Sequence, residues 1–150
     1  MPGLLRRCGE LGAPSLVHVI SESTLKAPSR LERLLTTCPE TTVIALDAFS
    51  GSDQPGAFLE IAERHENLYC DLGAMISVTG WIIQRFLDTV GSSRLIFGTD
   101  LYVVSCTWYA PAPLFEVLHL DLEPSWKVQI LSGNAHRLFQ PGTSARRPRS

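Results

Sequence analysis

Apolar residues along the chain alternate between two patterns. Four short runs are almost continuously apolar: Leu16–Ile20 (LVHVI), Thr42–Leu46 (TVIAL), Leu68–Leu72 (LYCDL) and Leu95–Phe97 (LIF). Their length and β-branched content predict strands. Between them the apolar positions recur at helical spacing. Pro28–Cys38 carries Leu31, Leu34 and Leu35, and Phe58–His65 carries Phe58, Ile61 and Ala62. Thr79–Val90 carries Trp81, Ile82, Phe86 and Leu87 and stops at Gly91. Pro28-Ser29 suits a helix start, because a first-turn proline gives up no intrahelical bond. Three further helices are expected at Pro113–His119, Glu123–Leu131 and Asn134–Phe139, with Asn134 able to cap the last.

The order is therefore β-α-β-α-β-α-β-α. Strands that are apolar throughout, rather than on alternate positions, belong to a parallel sheet covered by helices. An open doubly wound sheet and part of a closed barrel both satisfy this pattern, and periodicity does not separate them.

Composition narrows the partners more than the fold. The 150 residues are 45% hydrophobic and 19% charged, with a net charge of −2. That is ordinary globular composition with enough chain for one core. No broad basic face is available for nucleic acid, and no apolar run approaches the roughly 20 residues that would span a membrane. The opening MPGLLRRCGELG has arginines but no following apolar stretch, so it does not read as a secretory signal, and a reducing cytoplasm is the expected compartment. Cys8, Cys38, Cys70 and Cys106 form no CxxC pair, and the first three lie among apolar residues as small buried hydrophobes. Residues 1–139 are expected to form the domain. The Pro, Gly, Ser and Arg residues from 140 to 150 are expected to form a disordered, solvated tail.

Chemistry in parallel α/β folds gathers at the carboxyl ends of the strands. The four runs deliver His18, followed by Ser21 and Glu22, then Asp47, Asp71 and Asp100. One histidine and three carboxylates on a single rim could hold a divalent metal and take a proton from water. A strand-end Asp also caps helices or binds loop amides, and Asp71, in an Asp-Leu-Gly turn, is the weakest of the three candidates. His65, His119 and His136 fall on helices or their ends, away from the strand termini.

Several of these segments resemble the amidohydrolase superfamily. Pro14–Val19 (PSLVHV) looks like its fifth strand, with a proline four positions before a metal-binding histidine, here His18. Arg94–Asp100 (RLIFGTD) looks like the eighth strand, whose terminal aspartate is the catalytic, metal-associated carboxylate. Asn67–Leu72 (NLYCDL) and Ile130–Phe139 (ILSGNAHRLF) are similar to the seventh strand and the closing signature. The resemblance runs from about Leu4 to Phe139. It implies an α/β fold that is part of a (β/α)8 TIM barrel, strands five to eight without one to four, since a full barrel takes ~250 residues.

The resemblance also implies a metal-dependent hydrolase acting on a small molecule, in which a divalent metal activates water, or a fragment of one. A divalent metal, zinc by expectation, would be held by His18 and Asp100, with Asp100 and Asp47 as catalytic carboxylates. Two departures bear on this. Asp47 stands where the family's sixth strand usually ends in histidine, and the first-strand HxH pair of metal ligands is absent. The alternative is a catalytically inactive half-barrel, or a split subunit that needs a homodimer or a complementary half-barrel chain. An unrelated open binding domain has neither a G-x-G-x-x-G nor a P-loop to support it.

Overall fold

The computed structural model describes residues 2–20, 26–50, 54–73, 80–100 and 111–140. Ser21, Glu22, Cys106 and the tail beyond Gln140 lie outside the described residues. Four parallel strands, β1 (Ser15–His18), β2 (Val43–Leu46), β3 (Leu68–Asp71) and β4 (Leu95–Ile96), form one sheet in sequence order. Each was anticipated from its apolar run, with ends displaced by a residue or two.

Helices α1 (Pro2–Glu10), α2 (Pro28–Thr37), α3 (Gln54–Arg64) and α4 (Gly80–Val90) precede or connect the strands. After β4 come α5 (Ala112–His119), α6 (Pro124–Val128) and α7 (Asn134–Phe139), the last two joined through a π-helical turn at Gln129–Gly133. Helix α1 was not anticipated. Its one buried residue is Leu5, too little periodicity to mark it. Helix α3 begins four residues before Phe58, because Gln54 and Pro55 fold into its first turn and are buried there.

Register assigns the side chains to two faces. Val43, Ala45, Leu68, Cys70 and Leu95 share the helix-covered face and are fully buried. Leu31, Leu35, Phe58, Ala62, Ile83 and Phe86 close the core around them. Leu16, His18, Ile44, Leu46, Tyr69, Asp71 and Ile96 share the opposite face. Ile44 and Ile96 are buried there, but Leu16 is 54% exposed. One face is thus sealed and the other is partly open.

The amino ends of the strands are tied by polar side chains. Thr41 Oγ1 donates to the Leu5 carbonyl at 2.7 Å, and Asn67 Nδ2 donates to Cys38 and Thr41 carbonyls. Arg94 donates to the Ala62 and His65 carbonyls, closing the carboxyl end of α3.

Asn134 is not a helix cap, contrary to the sequence expectation. It has helical dihedrals inside the continuous α6–α7 run, where the π turn leaves no free helix start to cap. Its Nδ2 instead donates across the core to the Ser92 and Leu95 carbonyls, at 2.6 and 2.7 Å.

Cys8, Cys38 and Cys70 are free thiols. Burial pushes the Cys70 thiol up to about 12, against a smaller opposing effect of Arg94. Because the thiolate is the nucleophile, Cys70 is expected to resist Ellman's reagent in the native protein at pH 8, whereas half-buried Cys8 reacts. Counting thiols that react before and after urea checks this. Rapid native labelling of Cys70, mapped by mass spectrometry, would show that β3 opens readily.

Candidate functional site

Parallel strands bring all four sequence-selected residues to one end of the sheet. His18 closes β1, Asp47 follows β2 directly, Asp71 closes β3, and Asp100 lies four residues beyond β4. Asp47 and Asp100 both occupy the left-handed region, with φ of 61° and 50°. Aspartate tolerates that conformation better than most residues, at a cost the surrounding structure must offset.

The backbone at Asp47 is held by a buried glutamine that sequence reading did not single out. Gln54 Nε2 donates to the Asp47 carbonyl and to Ser50 Oγ, and lies 3.4 Å from the Val19 carbonyl. One amide thus ties the turn after β2 to the end of β1. Phe49 anchors the same turn, meeting Phe86 edge-on with ring centroids 5.7 Å apart.

His18 is engaged through both ring nitrogens. Lys26 Nζ stands 2.6 Å from Nδ1, and Nε2 contacts Asp47 Oδ2. An ammonium only donates, so Nδ1 accepts, and Nε2 then carries the hydrogen that Asp47 receives. Lys26 was likewise not singled out, since nothing in its sequence context marks it as a partner of His18.

Asp71 sits deeper than the other carboxylates. Its oxygens nest against Gly73 and Gly98, where a Cβ at either position would overlap them. Burial pushes its carboxyl up to about 6, with Asp47 and Asp100 adding to the rise, while the Gly73 and Leu72 amides oppose it. Burial and Asp47 likewise raise Asp100, and His18 opposes. The three carboxylates and His18 are therefore electrically coupled across adjacent strands.

The other histidines stay apart from this group. His65 Nε2 is 3.6 Å from Glu32, His119 Nδ1 is 2.7 Å from the Phe115 carbonyl, and His136 contacts Gln140.

A resident metal does not fit the described residues by themselves. None of their histidine, cysteine, aspartate and glutamate groupings supplies three possible ligands. His18 offers no free lone pair while Lys26 and Asp47 hold its ring. A catalytic centre takes about three protein ligands, and His18 with Asp100 would make two.

A partial parallel α/β barrel with polar residues gathered at the strand ends defines the class, and comparison supplies the family. The amidohydrolase family model matches residues 2–140, so the chain belongs to that family. Similar solved structures are TIM-barrel proteins. An uncharacterized TIM-barrel protein from Bordetella bronchiseptica is 20% identical, with a TM-score of 0.71 over 91% of this chain and 48% of its own. A 2,6-dihydroxybenzoate decarboxylase from Rhizobium is 14% identical, with a TM-score of 0.68 over 92% and 54%. A dihydroxybenzoic acid decarboxylase from a Polaromonas species, with bound manganese and 2-nitroresorcinol, is 12% identical, with a TM-score of 0.66 over 92% and 53%. The chain spans about half the length of each of these structures. No curated protein matches it. Among the described residues, no helix is long and apolar enough to cross a membrane.

Proposed function

We propose that these residues are the proton-handling half of an amidohydrolase-type active site, acting on a small molecule with a bond conjugated to a carbonyl. The observation that carries this reading is the meeting of His18, Asp47, Asp71 and Asp100 at the carboxyl ends of four parallel strands. Asp71, raised to about 6, can hold a proton in weakly acidic solution. Asp100 and Asp47 can exchange protons with a substrate or water placed above the sheet. Lys26 and Asp47 fix the tautomer and direction of His18.

Any divalent metal belongs to a rim completed by further ligands, since these residues do not hold one alone. This favours the reading of the 150-residue chain as a subunit or portion that is inactive by itself. Isothermal titration of the purified chain with zinc, and separately with manganese, is expected to show no tight site, because two ligands fall short of the usual three. Stoichiometric zinc that survives dialysis against a mild chelator and is lost in His18→Ala would overturn this.

A further inference from the structure

Strands β1 and β2 run side by side as far as His18 and Leu46, and the Val19 amide then donates to the Leu46 carbonyl at 3.3 Å. In a parallel ladder the next rung would run the other way, from the Ala48 amide to the Val19 carbonyl. The left-handed conformation of Asp47, with φ of 61°, turns the chain aside before that rung. A side chain stands in its place: Gln54 Nε2, from the first turn of α3, lies 3.4 Å from the Val19 carbonyl.

The same nitrogen donates to the Asp47 carbonyl, which also accepts from the Ser50 amide at 3.0 Å. Both lone pairs of that carbonyl are then engaged, so the peptide after Asp47 is fixed. The peptide before it is fixed as well, because the Leu46 carbonyl accepts from Val19. With both flanking peptides held, the direction in which the Asp47 side chain leaves the backbone is set. That direction brings Oδ2 to His18 Nε2. The Ser50 bond is internal to the turn, whereas Gln54 ties the turn to the strand that carries His18. Gln54 is only 2% exposed. An apolar side chain of the same length would fill that space without the cost of desolvating an amide, and a buried amide is tolerated where its hydrogens are bonded.

We infer that Gln54 is the positioning residue of the His18–Asp47 pair: its side-chain amide stands in for the missing rung between β1 and β2 and aims the Asp47 carboxylate at the His18 ring. The inference deepens the proposed proton-handling role of that pair and rests on it.

The test is proton NMR of the isotopically labelled 150-residue chain. A ring N–H held by a carboxylate resonates well downfield of other ring protons, and the His18 Nε2 signal is identified by its loss in His18→Gln. Gln54→Met keeps the length of the side chain and removes both donors. It is expected to abolish the downfield signal while the chain still unfolds cooperatively in urea. Gln54→Asn, whose amide is one methylene short of Asp47, is expected to do the same. Thr41→Val removes another buried side-chain bond to a carbonyl, at the opposite end of the sheet. It should lower the urea midpoint and leave the His18 signal in place, which separates positioning from a general loss of stability. In the wild type, the Gln54 side-chain amide protons are expected to exchange with solvent at least about 10-fold more slowly than those of Gln84, which bonds to Asp88 on an exposed helix face. That measurement decides the matter if neither Gln54 variant folds. A downfield signal unchanged in folded Gln54→Met, or Gln54 amide protons that exchange as fast as those of Gln84, would overturn the positioning role and leave the His18–Asp47 pair standing. A folded wild type without the signal would mean that the pair itself does not form, and the proposed proton-handling site would fall with it.

Discussion

Asn134→Asp is expected to cost the chain at least about 4 kcal/mol of stability at neutral pH. Asn134 is fully buried, and its Nδ2 donates to the Ser92 and Leu95 carbonyls. Its Oδ1 has no partner among the described residues, so the amide hydrogens are what matter. Aspartate replaces those donors with an oxygen that faces two carbonyls. A buried unsatisfied carbonyl costs about 1–3 kcal/mol, and a buried unpaired charge costs more. The Ser92 carbonyl keeps the Leu95 amide as a second partner, but the Leu95 carbonyl loses its outward bond. The total should reach at least about 4 kcal/mol, a large share of the 5–15 kcal/mol that holds a domain together. Asn134→Ala, which removes the donors without adding charge, should cost about half as much. Urea unfolding followed by circular dichroism ranks the three proteins. If the aspartate variant unfolds at the wild-type midpoint, Asn134 does not join the carboxyl-terminal helices to β4.

That residue also shows where sequence reading reached its limit. An asparagine before a short amphipathic stretch reads as a cap, because capping is a local property of residue type. A π turn is a property of the backbone, and no pattern of side chains announced the one at Gln129–Gly133 that makes α6 and α7 continuous. The four strands were legible because a parallel strand sealed beneath helices has to be apolar throughout. The candidate rim was legible for a related reason: a polar residue ending an apolar run has only the strand terminus to occupy. His18, Asp47, Asp71 and Asp100 all came from that rule, and the resemblance of FGTD and GNAHRLF to the amidohydrolase superfamily agreed with the family match over residues 2–140. Lys26 and Gln54 were not legible. Each reaches back to the strand end that precedes it in the chain, Lys26 to His18 and Gln54 to Asp47, and such approaches follow from the path of the chain.

The difference between the two sheet edges was not legible in the sequence. A four-stranded piece of a barrel exposes two edges on paper. Here Asn134 and the Ile130 carbonyl close one of them, while among the described residues Leu16 stays exposed at the other. The face that carries Leu16 also carries His18 and Asp71.

Asp71→Asn is expected to stabilise the chain, and to do so only above weakly acidic pH. The folded protein holds the Asp71 carboxyl up at about 6 against an ordinary value of 3.8, chiefly through burial. Between those two values the native state keeps a proton that the unfolded chain releases. Stability from this group is therefore fully present below about pH 4, is lost as pH rises through 6, and levels off above. At 1.36 kcal/mol for each pH unit of difference, the loss by pH 7.5 is up to about 3 kcal/mol. Asparagine keeps an oxygen for the Gly73 and Leu72 amides and carries no charge beside Asp47 and Asp100. The variant should melt several degrees above wild type at pH 7.5, and the gap should close by pH 4. An advantage that is the same at both pH values would point to packing against Gly73 and Gly98 rather than to charge. A loss of stability at pH 7.5 would mean that the ionised carboxylate is held by a favourable partner. A carboxyl kept in place at the expense of stability is what acid–base chemistry requires. If Asp71 handles protons as proposed, the same substitution should raise the melting temperature while lowering any turnover the protein shows.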